Sequence, residues 1–355
     1  MMQGLRIPDN LYDTVPDAPW INGRKMTAAG AVPVVPTRLT WADTTGSWKA
    51  RWGFNRMNFR VVPGLYAIGD PNDNSPVMVS ANYKMSFDRL RQSLAGVDAW
   101  ILVLDTDGIN VWCAAGKGTF GTVELVKRIA RTGLAQVVKH RVLILPQLGA
   151  TGVAAHEVRK RSGFKVVYGP IQSDDIPAFL QAGMKATPEM RRVRFDLLDR
   201  LVLTPIELRG IITKPVVWLT ALLLLAGRWS GLLPLTWQDI YPYLGALLVG
   251  AVAVPVLLPW IPGRAFALKG CWLGLLWVII CIVTTGTWQL PGGLWLSLAQ
   301  LLIIPSLSAY LALQFTGAST YTSFSGVVKE TRASMPFIKS GGVMGLLALV
   351  VALLS

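Results

Sequence analysis

The 355-residue chain carries 34 Lys+Arg against 20 Asp+Glu, a formal net charge of +14, and 52% of its residues are hydrophobic. Residues 1–204 hold 26 of the basic and 17 of the acidic side chains, and residues 205–355 hold 8 and 3, so a soluble half precedes a nearly charge-free half of membrane character. Three cysteines (Cys113, Cys271, Cys281) with no C-x-x-C pair exclude a disulfide scaffold, and they exclude a zinc ribbon or iron–sulfur cluster held by this chain alone.

Residues 1–60 are rich in Pro, Gly and Trp without a sustained period. They are read as an irregular N-terminal wrap, with Trp20, Trp41, Trp48 and Trp52 packing onto a larger body. Asp9, Asp13 and Asp17 interrupt the start and no apolar h-region is present, so the soluble part is expected in the cytoplasm. A strand is expected within 57–68, broken at Pro63-Gly64.

Residues 61–190 read as one α/β domain. Strands are expected at 77–79, 100–104, 141–145 and 164–168, and helices at 86–94, 122–131, 153–161 and 174–181. Phe87, Leu90 and Leu94 share one helix face, and Thr122 is expected to cap the helix 122–131 with Glu124 in its first turn. Such alternation implies a doubly wound, mainly parallel sheet with helices on its faces. Ligands bind beyond the carboxyl ends of strands in these sheets. Four connections lie there: Ser80-Ala81-Asn82, residues 105–118, residues 146–152 and Gly169-Pro170. Asn82, Asp105, Asn110, Cys113 and Thr151 therefore converge on one edge, and Gly149-Ala150-Thr151-Gly152 offers small side chains to a broad flat ligand or simply makes a turn.

Asn110-Val111-Trp112-Cys113-Ala114-Ala115-Gly116-Lys117-Gly118 holds the soluble half's one cysteine, where a helix N-terminus can favour thiolate. Cys113 has three readings: a buried structural thiol, a catalytic nucleophile or a metal ligand. A nucleophile would want a nearby His, and both His140 and His156 fall outside the four connections. A metal ligand with no companion His, Cys or carboxylate suits a metal already held by a macrocycle, such as the cobalt of a corrinoid. The alternative Asp-x-His-x-x-Gly pattern is absent, since Val138 and Ala154 stand two residues before the histidines. Gly116-Lys117-Gly118-Thr119 is not a P-loop, because Val111 replaces the first glycine and Gly118 the Ser/Thr after the lysine.

The stretch 117–165 carries ten Lys/Arg against Glu124 and Glu157. It reads as a solvated surface near anionic lipid, or as a docking face for an acidic partner such as a ferredoxin. Nucleic acid is not expected, since no recognition motif accompanies the charge. After a linker at 191–205, residues 206–355 read as an all-α polytopic membrane domain of about five transmembrane helices, at 206–226, 241–261, 266–286, 290–313 and 340–354. Arg264, Lys269, Lys329, Arg332 and Lys339 lie in alternate connections, which places the soluble domain in the cytoplasm and the C-terminus outside, across a cytoplasmic membrane. Trp229, Trp237, Trp260, Trp288 and Trp295 cluster near segment ends, while Gly270, Gly274, Gly341 and Gly345 permit close helix contact. Cys271 and Cys281 are either small packing residues or, with a further sulfur, a soft-metal relay.

The nine residues from Asn110 to Gly118 resemble the signature of the corrinoid protein family of microbial mercury methylation (HgcA). The resemblance runs through Pro63-Gly64-Leu65-Tyr66-Ala67, Ala81-Asn82-Tyr83-Lys84, Pro146-Gln147-Leu148-Gly149-Ala150 and the membrane tail, covering most of 60–355. The soluble domain is also similar to the corrinoid-binding domain of the corrinoid iron–sulfur protein of the acetyl-CoA pathway, without its cluster cysteines. The resemblance implies a corrinoid (cobalamin or a relative), with Cys113 as lower axial cobalt ligand and no iron–sulfur cluster in this chain. It implies that Asn110, Val111 and Trp112 shape the ring's lower face, that Ala114, Ala115, Gly116, Lys117 and Gly118 approach it, and that Ser80, Asn82, Asp105, Gly149, Ala150, Thr151, Gly152 and Gly169 complete the binding set. It further implies a methyltransferase acting on Hg(II), a two-cluster ferredoxin-like electron donor (HgcB), and a methylated folate or methyltransferase as methyl donor. The rival expectations are a membrane-tethered methyl carrier of one-carbon metabolism and a transporter with a cytoplasmic regulatory domain.

Overall fold

The computed structural model describes residues 18–229 and 236–354, so the first seventeen residues of the expected wrap lie outside the described residues. The described chain forms two units: residues up to Ala50 with Phe54–Val193, and Arg51–Gly53 with the chain from Arg194 onward.

Strands of the first unit are β1 (Gly23–Thr27), β2 (Gly30–Val34), β3 (Gly64–Ile68), β4 (Val77–Ala81), β5 (Ala99–Leu104), β6 (Val142–Leu145) and β7 (Lys165–Tyr168). Its helices are α1 (Trp41–Arg51), α2 (Lys84–Ser93), α3 (Val111–Lys117), α4 (Thr122–Arg131), α5 (Leu134–Val137), α6 (Ala155–Ser162) and α7 (Ile176–Gln181). All seven strands join one sheet in the order β1-β2-β3-β5-β4-β6-β7. The four expected strands, β5, β4, β6 and β7, run parallel. Every residue of β4 and β5 is buried, as continuous apolar runs covered on both faces require. Side chains alternate between two cores: Val77, Val79 and Ala81 pack with Leu102, Phe120 and Leu125, while Met78 packs with Ile101, Phe87 and Phe179.

The N-terminal segment is more regular than expected. Residues 18–60 contribute the β1–β2 hairpin and α1, and β3 pairs antiparallel with β5. β1 (Gly-Arg-Lys-Met-Thr) is a half-exposed edge strand with no apolar alternation, so its sequence carries no strand period. Trp20 packs onto Tyr66 and Phe87 with centroids 5.9 and 5.6 Å away, whereas Trp41, Trp48 and Trp52 are exposed, contrary to expectation.

The second unit comprises α8 (Leu197–Leu201), α9 (Thr204–Ile212), α10 (Pro215–Trp229), α11 (Trp237–Leu248), α12 (Val254–Leu257), α13 (Phe266–Thr285), α14 (Gly293–Gln314) and α15 (Phe324–Leu354). The expected linker 191–205 thus holds α8 and the start of α9. Among the described residues, four stretches are long and apolar enough to cross a membrane: Trp237–Leu257, Phe266–Thr285, Gly293–Gly317 and Ser325–Leu354. The expected first span, 206–226, is divided at Lys214-Pro215, because proline lacks the amide hydrogen and disfavours helix in the residue before it. The expected connection 316–340 is largely helix, since α15 begins at Phe324.

Helices α13 and α14 run antiparallel in close contact. A Cβ on Gly270 would lie 2.5 Å from the Ser308 carbonyl, and one on Gly274 would lie 2.8 Å from the Pro305 Cα. α11 runs alongside α14 in the same direction, with the Ser308 hydroxyl donating to the Ala246 carbonyl at 3.2 Å. Arg200 donates to the Val256 carbonyl at 3.0 Å, Phe195 stacks on Phe315 at 6.5 Å, and Lys214 lies 5.9 Å over Tyr310. These residues share the bundle end where α12 and α14 finish. Since α11 starts at the other end, Lys214 and Trp237 lie at opposite ends of the bundle.

Candidate functional site

In the sheet order, β4 lies between β5 and β6. The chain leaves β4 for β5 on one side and then crosses to β6 on the other, so the connections diverge beyond the carboxyl ends of β4 and β6. That divergence is the topological switch point at which such sheets bind ligands. Helix α3 lies there, within the expected 105–118 connection.

Asn82, immediately after β4, organises this edge. Its buried Oδ1 accepts from the Thr106 amide (3.1 Å), the Thr106 hydroxyl (2.8 Å) and the Gly108 amide (3.0 Å). Its Nδ2 donates to Asp105 Oδ1 at 3.2 Å. Glu124 Oε1 accepts the Asp105 amide at 3.0 Å and the Arg128 Nε at 2.9 Å, tying the end of β5 to α4. Gly108 adopts φ +72° beside the Met57 carbonyl, which a Cβ would approach to 2.5 Å, so this tight turn requires glycine.

The turn delivers the chain to Asn110, whose Oδ1 accepts the Cys113 amide at 2.9 Å and caps α3. Ala114 and Ala115 face inward and join the core. Trp112, Cys113, Gly116 and Lys117 face outward and are exposed, and Val111 is half-buried. A Cβ on Gly116 would meet nothing within 4 Å, so one turn beyond Cys113 the surface is open. Gly118 ends the helix at φ +83°.

The 146–152 connection seats the other end of α3. Gly149 lies against the Phe120 ring, and a Cβ on Gly152 would fall 2.1 Å from the Phe120 carbonyl and 3.0 Å from the Ala115 Cα. Thr122 is the first residue of α4 rather than its cap, which is Gly121; its hydroxyl accepts the Ala154 amide at 2.8 Å. Ala150 is half-buried and Thr151 exposed beside these glycines, whereas Gly169 is buried against Ile144 and Leu145. Ser80 is buried within β4 and its hydroxyl donates to the Ala81 carbonyl at 3.2 Å.

Asn82, Asp105, Asn110 and Cys113 are thus gathered on one edge, with Gly149 and Gly152 as the seat of α3, while Ser80 and Gly169 lie beneath it. Thr106, Phe120, Glu124 and Arg128 also build the site and were not anticipated. Glu124 and Arg128 stand four apart on α4, a signal readable in the sequence; nothing local links Thr106 to Asn82. His140 bonds the Ser75 carbonyl at 2.9 Å, before the start of β4, and His156 is exposed beside Glu157. Two clefts, one bordered by Arg38 and Asp98 and one by His140 and Met184, also lie away from the carboxyl edge.

Among the described residues, no group of three or more His, Cys, Asp or Glu is placed to hold a metal ion. What the edge offers is one exposed sulfur on a well-braced helix beside open, small-residue surface. A bare ion would find a single donor there, whereas a metal carrying its own equatorial ligands needs no more.

Fold and site together define an α/β domain whose carboxyl edge presents an exposed thiol beside open surface, in a chain that also carries membrane-capable helices. The family described as CO dehydrogenase/acetyl-CoA synthase delta subunit (CdhD) matches residues 54–180, which run from before β3 to α7 and include every connection just described. The acetyl-CoA decarbonylase/synthase complex subunit gamma of Methanopyrus kandleri is 39% identical over 124 residues, 34% of this chain and 26% of that protein. The same subunit of Archaeoglobus fulgidus is 32% identical over 128 residues (36% and 27%), and that of Methanocaldococcus jannaschii is 34% identical over 123 (34% and 25%). The chain spans about a quarter of the length of these curated relatives.

Proposed function

We propose that this chain is a membrane-anchored corrinoid protein that carries a methyl group, with Cys113 as the residue that would bind its cobalt. The exposed Cys113 on α3, above the switch point and beside the open surface at Gly116, is the observation that carries this assignment. When bound, the corrinoid would supply a transferable methyl group on its cobalt. Asn110 fixes the turn that presents Cys113, Asn82 holds the preceding loop, and Gly149 and Gly152 let α3 seat closely on the sheet. Lys117 is exposed on the same face and would meet an anionic or amide group of the corrinoid.

The relatives named for acetyl-CoA decarbonylase/synthase complexes support a methyl carrier of one-carbon metabolism, with a protein acceptor. A second acceptor, Hg(II), is favoured by the motif at 110–118 and by the thiol itself. A thiolate donates more strongly than imidazole or water, so Cys113 would enrich cobalt in electron density and suit an electrophilic acceptor. With no cluster cysteines in this chain, a ferredoxin-like protein would restore the low-potential state, and a methylated folate or a methyltransferase would supply the methyl.

Full-length protein in lipid, loaded with methylated corrinoid, is offered Hg(II) and, separately, an acetyl-CoA synthase-type protein. Methyl transfer to the protein acceptor supports the carrier of one-carbon metabolism, and transfer to Hg(II) that is lost in Cys113→Ala supports the mercury reading. Undiminished corrinoid loading and transfer in Cys113→Ala would overturn the assignment of Cys113.

A further inference from the structure

The spanning helices α11, α13 and α14 enclose a polar layer near the end of the bundle where α13 finishes. Helix α14 buries the stripe Gly293, Ser297, Gln300, Ile304 and Ser308, and α13 buries Gly270, Gly274, Val278 and Cys281. The two stripes face each other, since Gly274 packs on Pro305 and Ser308. One layer on, Val278 and Ile304 pack with Ala246 of α11. Measured from the Gly274–Pro305 contact, Cys281 lies about 10.5 Å along α13, and Gln300 and Ser297 lie about 7.5 and 12 Å back along α14 in the same direction. Cys281 is therefore level with the interval between Gln300 and Ser297. The Tyr241 hydroxyl of α11 closes the layer, beside the Cys281 thiol and 3.4 Å from the Thr284 hydroxyl.

Two atoms of this layer need partners. Gln300 is 3% exposed and Ser297 7%, and among the described residues neither Gln300 Oε1 nor the Ser297 hydroxyl has a hydrogen-bond partner. Hydroxyls elsewhere in the bundle turn back onto their own helix: Ser306 donates to the Leu302 carbonyl at 2.7 Å, and Thr285 to the Cys281 carbonyl at 2.8 Å. Ser297 does not. Between lipid-facing helices no bulk solvent satisfies such atoms, so a polar group there is costly unless something bonds it. Gln300 Oε1 only accepts, a hydroxyl both gives and accepts, and a thiol does both weakly. The layer holds no charged side chain, which suits a neutral occupant. An ordered water makes about three hydrogen bonds, and Gln300, Ser297, Cys281 and Tyr241 supply them.

We propose that this layer is a hydration site inside the membrane unit, where ordered water donates to Gln300 Oε1 and bridges Ser297 to the Cys281 thiol. A metal ion would find one sulfur there and, among the described residues, no companion His, Cys or carboxylate. Cys281 is then the chemically accessible thiol of the spanning helices, able to exchange its proton and to meet small polar solutes. Cys271 has a different setting, packed with Ala267, Ala309 and Leu313. It stands five residues from the start of α13 and Cys281 four from its end, so depth alone does not distinguish them. The site is independent of what the carboxyl edge binds.

The infrared S–H stretch, which falls in a window clear of other protein bands, reads each thiol in full-length protein reconstituted into phosphatidylcholine vesicles. Cys113→Ser, Cys271→Ala and Cys281→Ala assign the bands one at a time. On transfer to heavy water, the Cys281 band is expected to move to its S–D position about tenfold or more ahead of the Cys271 band, although Cys271 is the more exposed thiol. The double variant Ser297→Ala, Gln300→Leu removes the partners of the water. It is expected to slow Cys281 exchange to the rate of Cys271, with circular dichroism verifying the helices. A wild-type Cys281 band that exchanges no faster than that of Cys271 would make the layer dry and overturn the proposal, whether or not the double variant folds. Fast exchange that survives in a folded double variant would equally overturn it, because water would then reach the thiol without the two assigned atoms.

Discussion

Asn82 satisfies three donors and one acceptor from a buried position, and no shorter side chain could replace it. Asn82→Ala would leave the Thr106 and Gly108 amides without an acceptor, at about 1–3 kcal/mol for each buried orphan. The expected result is a lower denaturation midpoint and weaker corrinoid binding, read from denaturant titration and from cofactor retention on gel filtration. Asp43 acts at the same scale. Burial pushes its carboxyl up, but the Lys84 ammonium and the Thr40 amide and hydroxyl pull it down further, well below the ordinary carboxylate range. A folded-state pKa below the unfolded one contributes stability above the ordinary value of 3.8, and that stability is lost as pH falls below it. Asp43→Asn should cost about 3–5 kcal/mol at neutral pH by leaving Lys84 and Arg91 short of an anion. It should also flatten the acid dependence of stability below about pH 4, measured by denaturant melts across pH. The position of Asn82 and Cys113 at the carboxyl edge was legible because strand–loop order alone places them there. The Asp43–Lys84–Asp88–Arg91 cluster was not, since its halves lie 41 residues apart and nothing local pairs them.

Among the elements, the two glycines on either side of α3 make opposite demands. A Cβ on Gly152 meets backbone atoms of Phe120 and Ala115 that cannot yield, so Gly152→Val should displace α3, lower stability and abolish corrinoid loading together. A Cβ on Gly116 meets nothing, and alanine is favoured over glycine in a helix by about 1 kcal/mol. Gly116→Ala should therefore keep or raise the melting temperature while weakening corrinoid binding, because its methyl projects into the surface assigned to the ring. A variant that retains both full stability and full binding would contradict that placement. Parallel strands and α4 were readable because continuous apolar runs and a 3.6-residue stripe are strong local signals. The β1–β2 hairpin and α1 were not, because β1 is polar and exposed and α1 turns its aromatic face outward.

At the scale of the whole molecule, hydropathy marks five apolar segments, and among the described residues four of them correspond to helices long enough to span. Lys214 and Trp237 lie at opposite ends of the bundle, and the 15 residues of α10 rise about 22 Å against the ~30 Å of a bilayer core. Proline at position 215 moved the break downstream of the hydropathy boundary, a detail that window averages smooth over. Arg200, Arg209, Lys214, Arg264 and Lys269 lie toward the bundle end where α13 starts, and Leu354 lies at the other. The charge bias then predicts that a reporter placed at Pro291 is modified from outside intact cells, and that one at Thr322 is modified only after permeabilisation. The reverse pattern would invert the orientation.

The most direct test of the central claim is cobalt X-ray absorption on the full-length protein, reconstituted with corrinoid in lipid, beside Cys113→Ala. The account predicts a cobalt–sulfur scattering path in the wild type that disappears in the variant. A wild-type spectrum with only nitrogen and oxygen neighbours, or a sulfur path that survives the substitution, would contradict it.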